Sequence, residues 1–139
     1  MGSSKGGTAA IYYGLQCDAK AVYAGACQYY IGDYLSRPQF APIVEGMAGR
    51  EPTEEVIASL NDIMPRQLKD HAGSKTVIHL LFSKGEHTYK EHTVGLIKDL
   101  KYNNIPFREI ERSFPNHDDV GKFFSPYIQK ELEIELSKK

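Results

Sequence analysis

Gly2-Ser3-Ser4-Lys5-Gly6 satisfies the pattern Gly-x-Ser-x-Gly, with Ser4 at its centre. A serine hydroxyl is a weak nucleophile unless a base takes its proton and nearby donors stabilise the oxyanion it creates. A sharp glycine-flanked turn can hold such a serine in an unusual backbone conformation, and a helix starting at once behind it offers free N–H groups. The N–H of Lys5, the next residue, is the expected oxyanion donor. Two other readings fit the same residues: a plain Gly/Ser-rich turn of the kind that opens an expression tag, and a backbone nest for a phosphate over Gly2 to Gly7. A Walker loop would need Gly-Lys-Ser/Thr, whereas the order here is Lys-Gly-Gly-Thr.

His117, in Ser113-Phe114-Pro115-Asn116-His117-Asp118-Asp119, is the expected base, because it lies in a polar loop between a strand and the last helix. Glu86, in Ser83-Lys84-Gly85-Glu86-His87, follows the strongest strand signal and is the preferred acid to orient that imidazole. Asp33 and Asp118 are the alternative acids. Tyr29, Tyr30 and Tyr34 form an aromatic cluster suited to a sugar acceptor, with loop packing as the competing explanation. Tyr29, Tyr30 and Asp33 are taken as the substrate-binding set. Glu86, His87 and His92 lack the His-Glu-x-x-His spacing, so no metal is expected, and no cofactor is. His71 and His79 read as structural, and Cys17 and Cys27 as small buried hydrophobes.

The elements that must position these groups alternate. A helix is expected from Lys5 to about Leu15, a buried strand over Lys20 to Ala26, and an irregular excursion from Gln28 to Gly49 with a helical turn at Ile31 to Leu35. A helix opening at Pro52-Thr53-Glu54-Glu55 runs to about Lys69, with Thr53 as N-cap and an interruption at Pro65. Lys75 to Phe82 is the best strand, Tyr89 to Tyr102 a helix, Ile105 to Glu111 a third strand, and Asp118 to about Leu136 a final amphipathic helix. This order implies βαβ units, hence an α/β fold with a mostly parallel sheet and flanking helices. Three strands are expected, with none ahead of the Ser4 turn.

The 139 residues, about two-fifths apolar and one-quarter charged, suit a single domain over 1–139, with the excursion at about 28–70. A formal charge of −1 gives no basic excess for a nucleic acid backbone. No apolar run approaches the roughly 20 residues of a membrane span. The N-terminus lacks a signal-peptide core, so a cytoplasmic protein is expected.

Gly2-Ser3-Ser4-Lys5-Gly6-Gly7-Thr8-Ala9-Ala10-Ile11-Tyr12-Tyr13-Gly14 resembles the nucleophile elbow and following helix of α/β-hydrolase-like proteins of bacterial capsular-polysaccharide synthesis. It is more distantly similar to the acyl-transfer component of the accessory Sec system. The likeness continues through Gly25-Ala26-Cys27-Gln28-Tyr29-Tyr30-Ile31-Gly32-Asp33-Tyr34-Leu35 and reaches the His117 loop. The order Ser4, Glu86, His117 is that of the α/β-hydrolase arrangement. The resemblance implies the C-terminal part of such a fold, lacking the N-terminal strands and the loop that carries a second oxyanion donor. It implies a serine esterase or O-acyltransferase acting through an acyl-enzyme on an acyl ester and a surface glycan. Ser4 would be nucleophile, His117 base and Glu86 acid. The alternative is a non-catalytic scaffold in polysaccharide assembly. An open sheet edge would favour a homo-oligomer or association with a missing N-terminal half.

Overall fold

A computed structural model describes residues 1–138. Four parallel strands lie in the order β1-β2-β3-β4: β1 (Gly2–Ser3), β2 (Ala21–Gly25), β3 (Val77–Phe82) and β4 (Phe107–Glu111). Helix α1 (Lys5–Gln16) joins β1 to β2. Helices α2 (Ile31–Leu35), α3 (Ala41–Ala48), α4 (Glu54–Asn61) and α5 (Ile63–Asp70) join β2 to β3. Helix α6 (Val94–Tyr102) joins β3 to β4, and α7 (Val120–Leu136) follows β4. The architecture is the α/β sheet with flanking helices that the alternating pattern implies.

Strand residues alternate between two covered faces. Val22, Ala24, Ile78, Leu80 and Phe82 meet Ile11, Leu15, Met64, Leu68, Leu96 and Leu100 from α1, α5 and α6. Leu81, on the opposite face, packs with Phe124 and Ile128 of α7. Leu35, Val44, Val56 and Leu60 close a separate small core among α2, α3 and α4.

Several expectations need correction. A strand does precede Ser4: β1 pairs Gly2 with Ala24 and Ser3 with Gly25, and two residues are too few to show an alternating pattern. The excursion is mostly helical rather than irregular, because α3 and α4 bury Val44, Val56 and Leu60 against α2. The helix after Thr53 breaks at Asp62, just ahead of Pro65, the third residue of α5, which has no N–H to return to the preceding turn. Thr53 caps α4 as expected, its Oγ1 accepting from the Val56 N–H at 3.3 Å. The helix expected from Tyr89 opens as a wide π turn, Tyr89–Thr93, before α6. Cys17 is exposed, since it caps the end of α1, whereas Cys27 is buried and its thiol is pushed up to about 12 by that burial.

Candidate active site

Parallel strands all point their C-terminal ends the same way, so the loops that follow them gather at one edge of the sheet. One member of a single hydrogen-bonded group follows each strand there. Ser4 follows β1, Gln28 follows β2, Glu86 follows β3, and His117 follows β4.

Ser4 stands where β1 turns into α1, at φ 52° and ψ −130°. Positive φ is costly for a residue with a Cβ, and such strain persists only where the surroundings over-determine it. Here the Ser4 N–H donates to the Gly25 carbonyl at 2.8 Å, and its own carbonyl accepts from Gly7 and Thr8 at 2.9 and 3.2 Å. Glycine is required at two neighbouring positions. A Cβ on Gly2 would sit 2.4 Å from the Gly6 carbonyl carbon, and one on Gly7 would sit 2.9 Å from Cys27 Cβ. A Cβ on Gly6, by contrast, would meet nothing within 4 Å. The first glycine of the motif therefore carries the close approach. Lys5 is the first residue of α1, so its N–H points out of the helix N-terminus with no helical acceptor.

A chain of hydrogen bonds leads away from the Ser4 hydroxyl. Its Oγ lies 2.9 Å from His117 Nε2, and His117 Nδ1 lies 2.7 Å from Glu86 Oε1. A carboxylate on Nδ1 selects the tautomer with the proton on that nitrogen, leaving the Nε2 lone pair to accept from Ser4. Glu86 is 2 % exposed, and Thr88 Oγ1 donates to its other oxygen. Burial alone would raise its pKa. The hydrogen bonds from His117 and Thr88 outweigh that and hold the carboxyl below its ordinary value. The His117 side chain keeps 22 % exposure, so the imidazole is open to an incoming molecule.

Ser83 fastens the two loops that carry Glu86 and His117. Its buried Oγ donates to the Phe114 carbonyl at 2.6 Å and accepts from the N–H groups of Phe114 and Gly85 at 3.1 and 3.2 Å.

Of the three carboxylates weighed as acid, Glu86 is the one on the imidazole. Asp118 is exposed, and Asp33 accepts from Asn61 Nδ2 at 2.6 Å where α2 meets α4. The substrate-binding expectation for Tyr29 is overturned: it is 0 % exposed in the main core, and its hydroxyl donates to Asp99 Oδ2 at 2.6 Å. Burial, with Asp99 adding to it, pushes that phenol's pKa up. Tyr30 is half-buried, its ring against Tyr29 and its N–H donating to His92 Nδ1 at 3.2 Å. Tyr34 stacks on Phe40. Neither Tyr30 nor Asp33 is hydrogen-bonded to the Ser4 chain among the described residues. His92 is buried and occupied by Tyr30, so Glu86, His87 and His92 do not form a ligand set, and no three such side chains converge among the described residues.

One residue escaped the sequence reasoning. Gln28, 3 % exposed, donates from Nε2 to Ser4 Oγ at 2.9 Å. The available signal was positional: it follows β2 much as Glu86 follows β3.

The chain shares its fold with a capsule O-acetyltransferase. That enzyme, from Neisseria meningitidis serogroup A, superposes with a TM-score of 0.80 at 22% identity, covering 95% of this chain and 55% of its own. A mutant of it in complex with CoA gives a TM-score of 0.74 at 20% identity, covering 92% of this chain and 53% of its own. The glycosylation-associated Gap123 complex of Streptococcus agalactiae gives 0.67 at 18% identity, covering 94% of this chain and 28% of that one. The chain thus spans about half the length of the O-acetyltransferase or less of the other neighbour. No protein-family model and no curated protein matches it. Among the described residues, no helix is long and apolar enough to cross a membrane.

Proposed function

We propose that this chain carries a serine acyl-transfer site of α/β-hydrolase type, which moves a small acyl group from an activated donor to a glycan hydroxyl. The observation that carries the reading is the Ser4 hydroxyl 2.9 Å from His117 Nε2, with Glu86 2.7 Å from the other ring nitrogen. The strained turn that presents Ser4 supports it. The glycan and the acyl group are inferred from the capsule O-acetyltransferase, and a CoA thioester as donor from its complex with CoA.

His117 Nε2 takes the hydroxyl proton as Ser4 Oγ bonds to the acyl carbon, and the carbonyl π electrons move onto its oxygen. The Lys5 N–H faces that oxyanion, aided by the positive end of α1. The C–S or C–O bond of the donor then breaks, and the leaving group takes the proton from His117. An acceptor hydroxyl repeats the sequence on the acyl-serine: His117 removes its proton, the ester forms, and Ser4 regains its hydrogen. Glu86 keeps the imidazole in the working tautomer and stabilises its cation.

A fluorophosphonate probe read by intact mass tests this on the full chain. One adduct is expected on the wild type and none on Ser4→Ala, with His117→Ala slower by about 10³-fold or more. An unlabelled wild type, or a Ser4→Ala variant that labels equally, would favour a non-catalytic scaffold instead.

A further inference from the structure

We infer that the Gln28 side-chain amide is a second oxyanion donor, acting beside the Lys5 N–H. The inference rests on the acyl-transfer reading of Ser4.

Gln28 is built into the site rather than draped over it. Its backbone carbonyl accepts from Thr8 Oγ1 at 2.6 Å, which fastens the segment after β2 to the first turns of α1. Its side chain then runs back to Ser4, where Nε2 stands 2.9 Å from Oγ. The orientation of the amide follows from its neighbours. Glu86 holds the proton on His117 Nδ1, so Nε2 of that ring accepts, Ser4 donates its only hydrogen there, and Oγ can only accept from Gln28.

The other end of the amide sharpens the argument. Gln28 Oε1 is buried and has no partner among the described residues. An orphaned buried acceptor is costly, and an apolar side chain of similar volume would avoid it. Packing alone therefore does not favour an amide at this position. A donor aimed at the nucleophile gives it a purpose.

As Ser4 Oγ bonds to the acyl carbon, a carbonyl electron pair becomes a lone pair on an oxygen attached to that same carbon. A donor resting on Oγ is then one bond angle from the new anion. Oγ has meanwhile become an ester-like oxygen and a poorer acceptor. The Nε2–H groups turn from the weaker acceptor to the stronger one, and the bond strengthens only as charge develops. Lys5, after β1, and Gln28, after β2, would hold the oxyanion from two loops of one sheet edge.

Gln28→Met keeps the side-chain length without the N–H groups. With p-nitrophenyl acetate as donor, kcat is expected to fall about 10²–10³-fold with KM little changed, and fluorophosphonate labelling to slow by a similar factor. Its Tm should stay near that of the wild type. A side chain that merely filled space would not produce that split. An undiminished rate in a labelled, folded Gln28→Met protein would overturn the inference and leave the Ser4 reading intact. A wild type inert to both reagents would overturn both. Should Gln28→Met fail to fold, Gln28→Asn keeps a neutral amide but draws its N–H groups back from the anion by one methylene. The same fall supports the inference, and an undiminished rate overturns it.

Discussion

Two histidines in this molecule hold Nδ1 equally close to a side-chain oxygen and go on to different ends. His117 Nδ1 lies 2.7 Å from Glu86 Oε1, and His79 Nδ1 lies 2.7 Å from the Tyr127 hydroxyl. His117 stands in the loop after β4, part-exposed, with its second nitrogen on a strained serine. His79 stands within β3, 5 % exposed, its ring 4.4 Å from that of Tyr23 and covered by α7. Its pKa is lowered, first by burial and then by the Arg108 cation, with Glu131 opposing. A carboxylate behind an imidazole stabilises the cation that proton transfer makes, and a phenol in a covered site does not. Placement relative to the strand end, more than residue type, separates an imidazole that can work from one that packs.

Taking the charge from behind His117 should have the largest effect. Glu86→Gln keeps the shape but lets an amide donate to Nδ1, which would move the ring proton to Nε2 and aim it at Ser4. Probe labelling should fall about 10⁴-fold with the fold retained. A rate within a few-fold of wild type would mean that Glu86 does not set the tautomer. The same variant has a stability signature. The folded Glu86 pKa lies below its ordinary 4.5, so its stabilisation is present above pH 4.5 and is lost as pH falls through the lower folded value. Glu86→Gln should remove that acid limb in urea titrations.

Much of this arrangement is legible in the sequence, for physical reasons. Gly-x-Ser-x-Gly marks a backbone conformation that few sequences tolerate, and polar loops after apolar strands mark the sheet edge, so Ser4, Glu86 and His117 could be named together. β1 escaped because its two residues take their meaning from pairing with β2. Tyr29 was misjudged because an aromatic beside a Gly-rich segment looks the same whether it lines a surface or reaches across the core to Asp99. Gln28 escaped because an amide has no pattern of its own; only the fold brings it back to Ser4.

A smaller effect is expected where the two loops are fastened. Ser83→Ala leaves the buried N–H and C=O of Phe114 without their hydroxyl partner, at a cost of about 1–3 kcal/mol in stability. Because Ser83 is hydrogen-bonded to neither Ser4 nor the imidazole among the described residues, labelling should drop less than in Glu86→Gln. Chemical denaturation and labelling on one preparation would check both. A stability loss without any change in labelling would show that the His117 loop holds its place without this tie.

The smallest expected effect on activity comes from the second histidine. His79→Gln keeps a hydrogen-bonding side chain for Tyr127 and removes the titration. Labelling at Ser4 should be unchanged, since His79 points to α7, on the face away from α1. Stability should change only in its pH dependence. With a folded pKa below the ordinary 6.5, wild-type His79 binds fewer protons folded than unfolded, so stability falls as pH drops below 6.5 towards the folded value. His92 adds to the same limb. It is buried, its pKa is lowered chiefly by that burial, and its Nδ1 accepts from the Tyr30 N–H. His79→Gln should therefore flatten this limb in part and leave the Glu86 limb below 4.5 in place. If labelling fell with His79→Gln while the fold held, the covered face of the sheet would be coupled to its edge, and the separation between the two histidines would fail.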